Sequence, residues 1–123
     1  MIIRLAIMAA ALSVLMAAAP RAQDASQAPG GDAKKGQSLY GSVGCWECHG
    51  TQGQGGPLSG PRIGATMLPY EAFLQQLRTP QNQMPPYEPP ILSDADAANI
   101  YAFIKSIPPA RAVKDIPILN GLN

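Results

Sequence analysis

Between Gly50 and Gly64 the chain places six glycines together with Pro57 and Pro61, and Met84 to Pro90 holds four prolines in seven residues. Neither stretch suits a regular helix or a central strand. Glycine loses the most backbone freedom on ordering, and proline fixes φ and supplies no N–H. Two long loops are therefore written into a chain of 123 residues, and whatever folds must fold around them.

The segments around the loops carry helical signals. Asp32 stands as an N-cap ahead of Ala33, which predicts a short helix to about Ser42 with Gly36 and Tyr40 on one face. Phe73, Leu74 and Leu77 recur at three- and four-residue spacing after Pro69, and the pattern stops before Thr79-Pro80. Ser93 with Asp96 three residues on forms a capping arrangement, and Ala97, Ile100, Phe103, Ile104 and Ile107 follow the helical period until Pro108-Pro109. No run alternates as a strand does, and no internal repeat is present. The expectation is an all-α fold of three to four short helices and long loops.

Such a fold is short of interior. Ordering a domain of about 100 residues costs on the order of 100 kcal/mol, against which a few short helices bury little apolar surface. Something apolar has to complete it.

The first residues read as a separate unit. Met1 to Arg4 is a short basic start, and Leu5 to Ala19 is apolar apart from Ser13. This run is shorter than the roughly 20 residues of a spanning helix, is rich in Ala and ends at Pro20, which predicts a secretory signal peptide over residues 1–22, cleaved after Ala22. The expected organisation continues with a flexible arm over 23–31, a folded domain over 32–107 and a tail over 108–123, whose apolar cluster is Ile116, Pro117, Ile118 and Leu119. Without the leader the chain has seven Lys and Arg against eight Asp and Glu, a net charge of −1. That balance lacks the basic footprint of a nucleic-acid binder and argues against strong electrostatic steering. Lys34 and Lys35 fit a solvated helix face or a local contribution to docking.

Both cysteines and the only histidine fall in one pentapeptide, Cys45-Trp46-Glu47-Cys48-His49. The pattern C-x-x-C-H is the attachment signal for c-type haem, in which two thiols bond one edge of the macrocycle and the adjacent imidazole meets the iron. Zinc would need two further ligands, and no other Cys or His remains. A thioredoxin-like pair would need strands around it, and a Cys45–Cys48 disulfide would close a tiny loop of little stabilising value. Export agrees with haem attachment outside the cytoplasm.

On these residues the chain resembles the class I c-type cytochromes, small all-helical monohaem electron carriers. The resemblance covers about residues 31–107 and is carried by Gly36, Tyr40, Cys45 to His49, Gly60-Pro61-Arg62-Ile63, Met84-Pro85-Pro86-Tyr87, and Ile100 to Ile104. It implies the cytochrome c fold, one covalent haem c, and a close crossing of first and last helices at Gly36 with Tyr40 near Ile100 and Phe103. With His49 used on one side of the iron, the other falls to Met84, Met67, a weaker donor or an open position. Met84 matches the family's methionine loop, with a stiff double proline behind it, while Met67 suits the pocket wall. The carbonyl of Pro61 resembles the family position that accepts the ring N–H of the haem histidine. Tyr87, Trp46 and Arg62 are candidates to bond the haem propionates, beside plainer roles in which Trp46 covers the haem edge and Arg62 is solvated.

The function implied is periplasmic carriage of single electrons, not catalysis, between redox proteins. The donor would be a periplasmic dehydrogenase or reductase, and the acceptor an oxidase or another cytochrome. No nucleic acid and no membrane span after leader removal are expected. Two other classes remain: a haem sensor whose distal Met is absent or displaceable, and a structural subunit docking through Ile116 to Leu119.

Overall fold

The computed structural model describes residues 29–119 and 121. The expected leader and most of the arm, through residue 28, lie outside the described residues. Among the described residues there are four α-helices and no strand: α1 Ala33–Ser42, α2 Cys45–His49, α3 Tyr70–Arg78 and α4 Asp94–Ser106, followed by 3₁₀ turns at Val113–Asp115 and Pro117–Leu119.

Each helix begins and ends for a local reason. Asp32 caps α1, its Oδ1 accepting from the N–H groups of Lys34 at 2.8 Å and Lys35 at 3.0 Å. After Ser42 the chain reverses through Gly44 at φ +83°, a left-handed conformation that suits glycine, and α2 starts at once. Pro69 precedes α3, and Thr79-Pro80 ends it. Ser93 Oγ accepts from the Asp96 N–H at 3.1 Å and donates to Asp96 Oδ2 at 2.8 Å, and α4 then runs to the Pro108 stop.

The interior is organised by α4, which packs against α1 on one side and α3 on the other. The α1 contact is backbone to backbone: a Cβ added to Gly36 would lie 1.9 Å from the carbonyl oxygen of Asn99. Gly31, expected at the end of the arm, is also close to α4, with an added Cβ 2.2 Å from the Ala98 oxygen. The buried Asn99 side chain accepts from the Asp32 N–H at 2.8 Å, so a buried polar side chain of the core is also the clamp on the start of α1. Four residues on from Gly36, the Tyr40 ring meets Phe103 edge-on with centroids 5.3 Å apart. On the α3 side Tyr70, Phe73 and Tyr101 form an aromatic cluster, with Tyr101 5.4 Å from Tyr70 and 5.2 Å from Phe73. The two tyrosine hydroxyls are satisfied by backbone, Tyr70 on Asp94 O at 2.8 Å and Tyr101 on Leu68 O at 2.6 Å.

Two opposite predictions test the crossing. Gly36→Ala drives its methyl into the α4 backbone and should cost about 3 kcal/mol in denaturant unfolding. Gly41→Ala meets nothing within 4 Å and should gain about 0.5–1 kcal/mol from helix propensity.

Acid sensitivity follows from the same interface. The N–H groups of Lys35 and Lys34 hold the Asp32 carboxyl below its ordinary value, and the Lys35 side chain, 2.9 Å from Asp96, does the same there together with Ser93. Carboxylates with lowered pKa add stability above the unfolded value of about 4 and lose it as pH falls through the folded value. The double variant Asp32→Asn, Asp96→Asn should therefore show a shallower loss of stability below about pH 4 than the parent, measured by acid unfolding.

Candidate functional site

The loop after α2 and the loop after α3 face each other across a cleft of about 1320 Å³, floored by Ile100 and Ile104 of α4 and closed at the sides by Phe73 and Leu77 of α3. Cys45, Cys48 and His49 line it together. The helical form of the pentapeptide explains this: residues at i, i+3 and i+4 share a face, so the two sulfurs and the imidazole are presented on one side of a single turn. The same geometry corrects one expectation. Trp46, at i+1, does not line the cleft; it is 46 % exposed beside a separate shallow hollow with Gln37, Tyr40, Gly41 and Thr51.

The turn is pinned from two directions. Tyr40 Oη donates to the Gly50 carbonyl at 2.6 Å, and the Gly55 N–H donates to the His49 carbonyl at 2.7 Å. The glycine-rich loop then folds on itself, with the N–H groups of Ile63 and Gly64 both on Gly53 O at 2.9 and 2.8 Å, and is tied to α4 by Ala65 N–H on Ile104 O at 2.8 Å. That path brings Pro61 O to 2.8 Å from His49 Nδ1. A carbonyl only accepts, so Nδ1 carries the proton and Nε2 keeps its lone pair. Gly60 allows the approach, because an added Cβ would stand 3.1 Å from the imidazole.

The two methionines differ in their settings. Both line the cleft, but Met67 is 91 % exposed, whereas Met84 is half-buried against the core and its Sδ accepts from Gln76 Nε2 at 3.7 Å. The Met84 loop is bracketed by the end of α3: the Tyr87 N–H donates to Leu77 O at 2.8 Å, and Arg78 donates to Tyr87 O while pairing with Asp94. Tyr87 Oη lies 3.3 Å from Val43 O, beside Cys45, and Arg62 Nη2 donates to Pro108 O at 2.7 Å. Both groups are thus engaged with protein at the rim of the cleft. Sequence patterning missed Asn99 and Gln76; the signal for Asn99 was a polar residue on the apolar face of α4.

Burial pushes the thiol of Cys45 up and the phenols of Tyr40 and Tyr87 up to about 12, with Cys45 adding to the shift in both tyrosines. Cys45 and Cys48 are not joined to each other as a disulfide. Among the described residues no three His, Cys, Asp or Glu side chains gather as a metal site. The donor set fits haem: two thiols and an imidazole with Nε2 available on one wall, a thioether in the same cleft, and an apolar floor that would be costly to leave against water.

A helical fold wrapped around such a cleft, with C-x-x-C-H on its wall, is that of a c-type cytochrome domain. The chain belongs to the family described as cytochrome c oxidase, cbb3-type, subunit III, whose model matches residues 31–104. Searches of curated proteins and of solved structures found no match. As a c-type cytochrome the chain carries covalently bound haem c and belongs to electron transfer.

The raised phenols give a prediction at the alkaline end. A group whose folded pKa is raised contributes its stability below the unfolded value of about 10 and loses it as pH rises through the folded value. Ultraviolet titration should find Tyr40 and Tyr87 still protonated at about pH 11, and the double variant Tyr40→Phe, Tyr87→Phe should lose less stability between about pH 10 and 12 than the parent.

Proposed function

We propose that this chain is an exported one-electron carrier in which Cys45 and Cys48 attach the haem, His49 Nε2 and Met84 Sδ ligate its iron, and Pro61 orients the histidine. The observation that carries the reading is the 2.8 Å contact of His49 Nδ1 with Pro61 O, which frees Nε2 within a cleft that Met84 also lines. Each thiol would add across a vinyl group, sulfur to one carbon and hydrogen to its neighbour, with no net electron change.

The haem supplies a one-electron ferric–ferrous couple, and Met/His ligation raises its potential. The chain's part is to hold both ligands in place through the change. His49 is fixed by the Pro61 carbonyl and by the pinned ends of α2. Met84 is favoured over Met67 because a half-buried thioether held by Gln76 loses less freedom on ligation than an almost fully exposed one. A doubly ligated iron has no open position for a substrate, which supports carriage over catalysis.

Export to the periplasm rests on the basic start and apolar run of residues 1–19. Among the described residues no helix is long and apolar enough to cross a membrane. Redox proteins are the partners this reading needs, with a periplasmic dehydrogenase or reductase as donor and an oxidase or another cytochrome as acceptor.

Spectra of the two methionine variants test the ligand set. Met84→Ala should abolish the weak long-wavelength absorption of a ferric iron–thioether bond and let the ferrous protein bind carbon monoxide, while Met67→Ala should change neither. Ready carbon monoxide binding by the unaltered protein would instead favour a ligand-binding or sensing role.

A further inference from the structure

We propose that Gln76 is a positioning residue for the Met84 thioether: its side-chain amide donates to Sδ, selects which lone pair of the sulfur is left for iron, and biases the centre toward the ferrous state. The inference rests on Met84 being the distal ligand.

The contact is Gln76 Nε2 to Met84 Sδ at 3.7 Å. A thioether sulfur has two lone pairs and accepts weakly, so an N–H on one leaves a single lone pair free. The donor also draws electron density from sulfur. Ferric iron depends on that density more than ferrous iron does, so the bond costs the oxidised form more, as hydrogen bonding around a ligand does generally.

Placement strengthens the case. Gln76 is on α3 and not on the loop it touches, so its position is set by a helix that Tyr70 and Phe73 lock into the cluster with Tyr101. The next two residues, Leu77 and Arg78, hold Tyr87, so three consecutive residues of α3 fix both ends of the segment from Met84 to Tyr87. The neighbouring Gln75 supplies an internal contrast. It is exposed, and its amide is spent locally on Thr79. Of two adjacent glutamines, one bonds its own helix end and the other reaches into the cleft.

The test compares Gln76→Leu and Gln76→Glu with Gln75→Leu in the haem-loaded protein, each equilibrated with a redox mediator of fixed potential. Both Gln76 variants should shift the ferric-to-ferrous ratio about two- to fivefold toward ferric, the scale of one modest hydrogen bond felt unequally by two oxidation states. Gln75→Leu should match the parent. The long-wavelength ferric band should persist in the Gln76 variants but move. A merely structural role would weaken both oxidation states alike, so a parental ratio in both Gln76 variants overturns the proposal. Should neither variant load haem, proton spectra of the ferrous parent decide. The Gln76 amide protons must show large ring-current shifts, and ordinary positions overturn the proposal. Met84→Ala runs alongside: if the band survives in it, the ligand assignment has failed, whereas loss of the band with no Gln76 effect removes the present inference alone.

Discussion

The contact between Gly36 and the Asn99 peptide is the constraint on which the rest depends. It lets α1 and α4 touch through backbone, and the histidine side of the cleft is referenced to those two helices. Through α1, Tyr40 reaches Gly50 and fixes the end of the haem-attachment turn. Through α4, Ile104 O holds Ala65 and so the far end of the loop that carries Pro61. A side chain at position 36 would separate the helices and move both anchor points at once. The effect at the cleft would be larger than the volume of a methyl suggests, because close-packed interiors transmit displacement.

The polar groups at this crossing serve the same end. Asn99 spends its buried carbonyl on the Asp32 N–H, which lies ahead of α1 and has no partner within the helix. Asp32 in turn spends its carboxylate on the next two free N–H groups. The start of α1 is thus capped and held against the middle of α4, and the close approach at Gly36 is kept in register. The Lys35–Asp96 pair lies on the outside of the same contact, where solvent leaves it little weight.

Much of this is legible in the sequence. The bounds of α1, α3 and α4 follow from Asp32, from Pro69 and Thr79-Pro80, and from Ser93 and Pro108, because caps and prolines act locally. The pairing of Tyr40 with Phe103 was expected from the family resemblance and is found. What sequence did not reveal was relational. Trp46 was a candidate for the haem edge because it sits inside the motif, and only the helical form of the pentapeptide turns it away from the cleft. Arg62 is exposed, as a solvated side chain would be, and it also donates to Pro108 O, a contact between residues 46 apart in the chain that no local pattern reveals. Gln76 could not be told from Gln75, since two adjacent glutamines on a helix differ only in which way the helix is rotated. That rotation is fixed by packing among Tyr70, Phe73 and Tyr101.

The two sides of the cleft are built to different standards of rigidity. His49 is oriented by a carbonyl twelve residues away, within a loop crossed by several backbone hydrogen bonds and stitched to both main helices. Met84 is 35 residues beyond His49, in a segment stiffened by prolines but attached to the body through one turn of α3, the Tyr87 hydroxyl on Val43 O and the partly exposed Arg78–Asp94 pair. Closing the longer loop costs more entropy, and the contacts that hold it are fewer and nearer to water. Local opening should therefore begin on the methionine side, while the imidazole and both cysteine side chains stay in place. Such an order makes the α3 bracket around Met84 to Tyr87 the part of the chain that governs how tightly that side of the cleft is closed.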